Sequence, residues 1–194
     1  MSLGSKVTLF RALDPVLVLS ATYVLALLFA GSAISKLMSL AEFEGVVQNF
    51  RLLPHPLMKP VAWLLPPTEL AVALGLAFTC SRPYAAFAAV LLLITFTTAI
   101  AINLGRGRRT IDCGCFGAVL RQTLSWGLVA RNTAFIALAT MLAISNPPVQ
   151  PLHWLGFMTV IAGALTLIIA DLATSQLRSN DMTLRIQPPR KRQI

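Results

Sequence analysis

The chain has 194 residues, 56% of them hydrophobic and 12% charged, and carries a net charge of +9. A soluble domain has about 25% charged and roughly 45–50% apolar residues, so this composition excludes a disordered chain and argues against a soluble one. In a membrane protein the positive excess gathers on the cytoplasmic rim, so the basic balance does not imply nucleic acid as a partner.

A spanning helix takes about 20 mostly apolar residues. Helices are predicted over 16–37, 61–80, 84–104, 123–144 and 152–171, followed by a basic tail over 172–194. Strand-like alternation is absent, and in lipid the backbone must satisfy its own hydrogen bonds. The predicted fold is therefore all-α: a polytopic transmembrane bundle of about five spanning helices, with residues 1–194 forming a single integral membrane domain.

The first helix follows Lys6 and Arg11, as a secretory signal does, but it is longer than a signal core of about 7–15 residues. It is expected to stay as a permanent helix. The second helix can also be read as starting at Pro67, with 55–65 at the interface, because Pro followed by Glu69 marks a helix N-terminus. Residues 81–83 and 145–151 are tight turns between antiparallel neighbours. The stretch 35–60 is long enough to hold a surface helix. The stretch 105–122 holds Arg106, Arg108, Arg109, Asp112, two cysteines and Arg121.

With five spans, Lys6, Arg11 and Arg82 share one side. Eleven of the remaining Lys and Arg lie on the other, Lys36 and Arg131 falling within or beside helices. The positive-inside rule then predicts the N-terminus outside and the C-terminus in the cytoplasm, with 105–122 cytoplasmic as well.

Among the three cysteines, Cys113 and Cys115 flank Gly114. A disulfide needs Cα atoms roughly 4.4–6.8 Å apart, which a Cys-Gly-Cys segment reaches because glycine allows the unusual backbone angles. So small a ring is strained, and a strained disulfide suits exchange better than permanent bracing. The four arginines of the stretch favour the thiolate, and Asp112 partly opposes them. Three readings stand at this point: a redox pair, idle thiols in a loop, or a two-thiolate site for a soft ion such as Cu(I). A zinc site wants about four ligands, and neither His55 nor His153 has the spacing to help. Cys80 closes the second helix and reads as a small buried apolar residue.

Polar groups within the spans are the other candidates. Glu69 inside a helix is costly and marks a site, or else caps a helix start; the two readings weigh equally. Lys36 reads more readily as snorkelling to the headgroups than as pairing with Glu42, Glu44 or Glu69. Arg131, with Trp126 nearby, also reads as snorkelling. Thr95, Thr97, Thr98 and Asn103 are expected to bond between helices, and Gly31, Gly75 and Gly163 to let helices approach closely.

The runs Phe29-Ala30-Gly31-Ser32-Ala33-Ile34-Ser35-Lys36-Leu37 and Leu65-Pro66-Pro67-Thr68-Glu69-Leu70 carry a family resemblance. So do Ala101-Ile102-Asn103-Leu104-Gly105-Arg106-Gly107-Arg108 and Asp112-Cys113-Gly114-Cys115-Phe116-Gly117. Together they resemble the MauE family of methylamine-utilisation membrane proteins, in the wider MauE/DoxX group of redox-associated membrane proteins. The resemblance covers about 25–117; the last two helices fit by size and hydropathy alone.

What the resemblance implies is a bacterial inner-membrane protein needed to mature methylamine dehydrogenase, a periplasmic enzyme with a disulfide-rich small subunit. The implied partners are a thioredoxin-like, MauD-like protein and the immature small subunit. The site would then be the redox pair Cys113 and Cys115, supported by Asp112, Gly114, Arg109, Lys36 and Glu69. No cofactor or metal is expected, and no motif supports a quinone. A non-catalytic assembly scaffold is the alternative; a small transporter lacks the broken helix pairs it would need. The charge count places the cysteine pair in the cytoplasm, whereas the implied substrate disulfides are periplasmic. A loop dipping into the bundle, electron transfer across it or a different span count would each reconcile the two.

Overall fold

The structure is a computed structural model that describes residues 15–108, 111, 124–144 and 158. Five helices follow in order: α1 (Pro15–Met38), α2 (Leu40–Phe50), α3 (His55–Ala77), α4 (Arg82–Gly105) and α5 (Trp126–Ile144). Four of them, α1, α3, α4 and α5, are long and apolar enough to cross a membrane. They match four of the five predicted spans. The fifth, 152–171, and the tail lie outside the described residues. The described chain is a helical membrane bundle, with lipid-facing side chains such as Leu64, Leu74, Phe87, Leu91 and Ile94 exposed on its spans.

The second predicted span shifts. Instead of starting at Val61 or Pro67, α3 runs unbroken from His55 through Pro60, Pro66 and Pro67. Pro54 caps it in an extended conformation, and a further proline sits in its first turn, where the missing N–H costs nothing. Internal prolines are tolerated in membrane helices because neighbouring groups take up the freed backbone. Thr68 Oγ1 donates to Leu65 O at 2.7 Å beside the Pro66–Pro67 step. The helix ends at Ala77, so Cys80 lies in the turn to α4 and is exposed. This overturns the buried reading of Cys80.

That turn is tight. Arg82 N donates to Phe78 O at 3.0 Å and Ser81 Oγ to Gly75 O at 2.8 Å. A Cβ on Gly75 would sit 2.9 Å from Ala85 Cβ, so only glycine lets α3 and α4 approach this closely. Gly31 meets nothing within 4 Å, so the expected close approach does not hold there.

α1 packs on α3 and α4 on α5, and the α3–α4 hairpin joins the two pairs. Leu25 and Phe29 of α1 meet Leu76 of α3, Ala86 and Ala89 of α4 and Ala139 of α5 in one core. Small side chains at the crossings let the backbones close in, as membrane helices require. The threonines do not bond between helices: Thr95 and Thr97 donate back to Leu91 O and Leu93 O, and Asn103 Nδ2 to Ala99 O.

α4 ends in a tight C-terminal motif. Gly107, at φ +75°, lets its N–H reach Leu104 O while Arg108 N–H reaches Asn103 O; these are the two bonds of a Schellman cap. α2 lies at this same end, between the C-terminus of α1 and the N-terminus of α3. It is the surface helix expected within 35–60.

Candidate functional site

α1 and α3 each bring one ionisable group into the bundle. Lys36 lies in the last turn of α1 and Glu69 well inside α3. Lys36 Nζ lies 2.5 Å from Glu69 Oε1, and the side chains are 2% and 1% exposed. Ser32, one turn before Lys36, donates to the same oxygen at 3.4 Å. The ammonium stands 5.0 Å from the Phe43 ring centre and 4.7 Å from that of Phe96, both within the range of a cation–π contact. Two aromatic rings on the ammonium and a hydroxyl on the carboxylate oxygen thus complete a pair that lipid could not solvate.

This geometry decides between the earlier readings. Lys36 does not snorkel: it turns inward to Glu69, with α2 closing over it through Phe43, the buried residue of that helix. Glu69 is not a cap, because α3 begins at His55. Glu44, an alternative partner for Lys36, accepts instead from Gln48 Nε2 at 3.4 Å. Desolvating two charges costs several kcal/mol per ion, offset only by close geometry and added hydrogen bonds. The second carboxylate oxygen, Glu69 Oε2, is buried without a hydrogen-bond partner.

The pair borders a cavity of about 30 Å³ lined by Ser32, Lys36, Glu69, Phe96, Arg131 and Asn132 among others. That is room for about one water molecule. Arg131 faces this cavity, which replaces the snorkelling expected of it. Sequence reasoning missed Phe43, Phe96 and Asn132. Phe43 had a signal, since Phe43, Val46, Val47 and Phe50 recur at helical spacing.

Cys113 and Cys115, with Arg109, Asp112 and Gly114, lie outside the described residues. The structure does show how the chain enters and leaves that stretch. Arg108 Nη1 donates to Asn49 O at 2.9 Å and to Asn103 Oδ1 at 3.4 Å, and Arg106 Nη1 to Arg51 O at 3.4 Å. Both guanidinium groups are therefore directed at the C-terminal end of α2, where cations complement the helix dipole. On the far side, Leu124 N donates to Ile111 O at 3.1 Å.

Residues 14–145 match the family described as methylamine utilisation protein MauE. The methylamine utilization protein MauE of Paracoccus denitrificans is 44% identical over 158 residues, 81% of this chain and 85% of its own. That of Paracoccus versutus is 46% identical over 127 residues, 66% and 68% of the two chains. That of Methylorubrum extorquens is 47% identical over 138 residues, 71% and 74%. No solved structure matches. The matched region takes in the buried Lys36–Glu69 pair, all five described helices and the Cys113-Gly114-Cys115 run, and on it the chain belongs to the MauE family.

Proposed function

We propose that this protein serves methylamine utilisation by supporting the maturation of methylamine dehydrogenase, through thiol–disulfide exchange at Cys113 and Cys115. The relatives carry methylamine utilization in their names. The observation that carries the reading is the Cys-Gly-Cys run, which lies inside the family match and directly beyond the capped end of α4. In the proposed exchange a thiolate attacks a disulfide sulfur and forms a mixed disulfide, which a second thiol then resolves. The partner's pair is left reduced as this pair is oxidised, or the reverse. The proposed partners are a thioredoxin-like protein and the immature small subunit of the enzyme. The proposed setting is the bacterial inner membrane, with the N-terminus out and the C-terminus in; from the cytoplasmic side the pair would serve periplasmic disulfides through a loop dipping into the bundle or by electron transfer across it. The Lys36–Glu69 pair holds α1 to α3 and so fixes the frame from which the cysteine stretch emerges.

The test is to replace each cysteine singly with alanine in a methylamine-grown host, trap mixed disulfides with acid and alkylation, and identify what is attached. Exchange predicts that the remaining cysteine is recovered on a thioredoxin-like protein and that methylamine dehydrogenase fails to accumulate. Normal enzyme levels in the double alanine variant would instead leave the protein as an assembly scaffold.

A further inference from the structure

Two buried polar groups on different helices face one space and bond to nothing in the described chain. Glu69 Oε1 accepts from Lys36 and Ser32, while Glu69 Oε2, equally buried, has no partner. Asn132, near the start of α5 and 4% exposed, makes no side-chain hydrogen bond to a described residue. Both residues line the same cavity of about 30 Å³. We propose that this cavity is a binding site for one water molecule, which donates to Glu69 Oε2 and bonds to the Asn132 amide, linking α3 to α5.

The chemistry of the lining selects the ligand. Leaving a buried acceptor without a donor costs about 1–3 kcal/mol, and more when the group is charged. Folded proteins satisfy nearly all such groups with protein or ordered water, and within a span lipid supplies no donor. A ligand here must donate to Oε2, which chloride and other simple anions cannot do. It must also sit on a surface that carries the Lys36 ammonium and the Arg131 guanidinium, which disfavours a cation. Finally, it must fit a volume that holds about one water. Water meets all three conditions. The Asn132 amide offers both donors and an acceptor, so it can take either end of the molecule. Leu28, Phe29 and Leu93 form apolar walls and leave the polar groups as the only partners.

The location also answers a gap in the packing. α1 packs on α3, α3 on α4 and α4 on α5, whereas α3 and α5 make no substantial direct contact. The cavity draws its lining from all four of these helices. A water held there supplies a polar link between α3 and α5 that their side chains do not make directly. It also completes the hydrogen bonding of the Lys36–Glu69 pair, whose stability depends on added bonds to its remaining lone pairs.

The test has two parts, both on the full chain. The first is a crystal structure of the parent protein grown in a lipid phase, at a resolution that shows ordered waters. Density is expected at hydrogen-bond distance, roughly 2.7–3.2 Å, from both Glu69 Oε2 and an atom of the Asn132 amide. A cavity without density would overturn the proposal. A peak that scatters anomalously after bromide exchange would overturn it in favour of an anion. The second part is equilibrium unfolding in detergent of Asn132→Thr and Asn132→Val. The two replacements have nearly the same shape and neither overpacks the site, but only threonine keeps a hydroxyl for the water. With a water in place, the valine variant should have an unfolding equilibrium about tenfold less favourable to the folded state than the threonine variant, the scale of one orphaned buried group. A dry cavity predicts the reverse order, since an apolar lining prefers valine. A valine variant as stable as the threonine variant, or more stable, would overturn the water site.

Discussion

Lys36 of α1 and Glu69 of α3 meet Nζ to Oε1 inside the bundle, with the Phe43 and Phe96 ring centres 5.0 and 4.7 Å from the ammonium. Neither residue could stand there without the other. Lys36→Ala leaves a buried carboxylate, and Glu69→Gln a buried ammonium. Each should destabilise the bundle by about 3–5 kcal/mol, as uncompensated buried charges do. The double variant Lys36→Met with Glu69→Leu removes both charges at similar volume and should recover most of that loss. Thermal unfolding in detergent, read for the two singles and the double, checks this; a double no more stable than the singles would contradict it.

The same pair bears on function. Lys36→Ala and Glu69→Gln should lower the yield of mature methylamine dehydrogenase even where membrane levels of the variant match the parent. Immunoblots of membranes alongside enzyme assays decide it, and normal yield from both variants would confine the pair to stability.

At the opposite end, Gly75 stands where any Cβ would press on Ala85. Gly75→Leu should destabilise the α3–α4 hairpin by about 1–3 kcal/mol, the usual cost of overpacking. Gly75→Ala should be partly rescued by Ala85→Gly. Gly31→Ala, with open space around it, should be near neutral. A comparison of unfolding midpoints for the four variants separates the two glycines.

Cys80 lies in the exposed turn before α4, a helix of 24 residues that ends at Gly105. At 1.5 Å per residue this is a separation of about 36 Å, far beyond the roughly 7 Å limit for Cα atoms joined by a disulfide. Cys80→Ala should therefore keep full maturation activity. In the proposed orientation Cys80 faces the periplasm, and a membrane-impermeant maleimide applied to intact cells should label it. Protection of Cys80 from that reagent, or its recovery crosslinked to Cys113, would reverse the topology.

The spans were legible because lipid imposes a length and an apolar composition that no other fold needs: α1, α4 and α5 fall within a few residues of their predicted bounds. α3 was displaced because prolines read as breakers in a water-based grammar, whereas Pro60, Pro66 and Pro67 sit within a continuous membrane helix. Cys80 was misread for a related reason, since shortening α3 to Ala77 moves it from helix to turn. The cost of Glu69 and Lys36 in lipid singled them out in the sequence. Their pairing did not follow from it, because Glu42 and Glu44 were nearer along the chain. Phe43 and Phe96 were invisible as site residues, since an aromatic in an apolar helix looks like any other core residue until a cation is placed beside it. That Arg106 and Arg108 reach the C-terminal end of α2 was not legible, because nothing in the sequence pairs 106–108 with 49–51.

The most direct test of the central claim is the redox state of Cys113 and Cys115 in living cells. Cells expressing the full chain are quenched in acid after oxidising and after reducing growth, and free thiols are counted by differential alkylation and mass spectrometry. Exchange at this pair predicts a mixture of dithiol and disulfide that moves with the growth condition, while Cys80 stays reduced throughout. Full labelling of both cysteines in every condition, together with normal methylamine dehydrogenase in the Cys113→Ala, Cys115→Ala double variant, would contradict it.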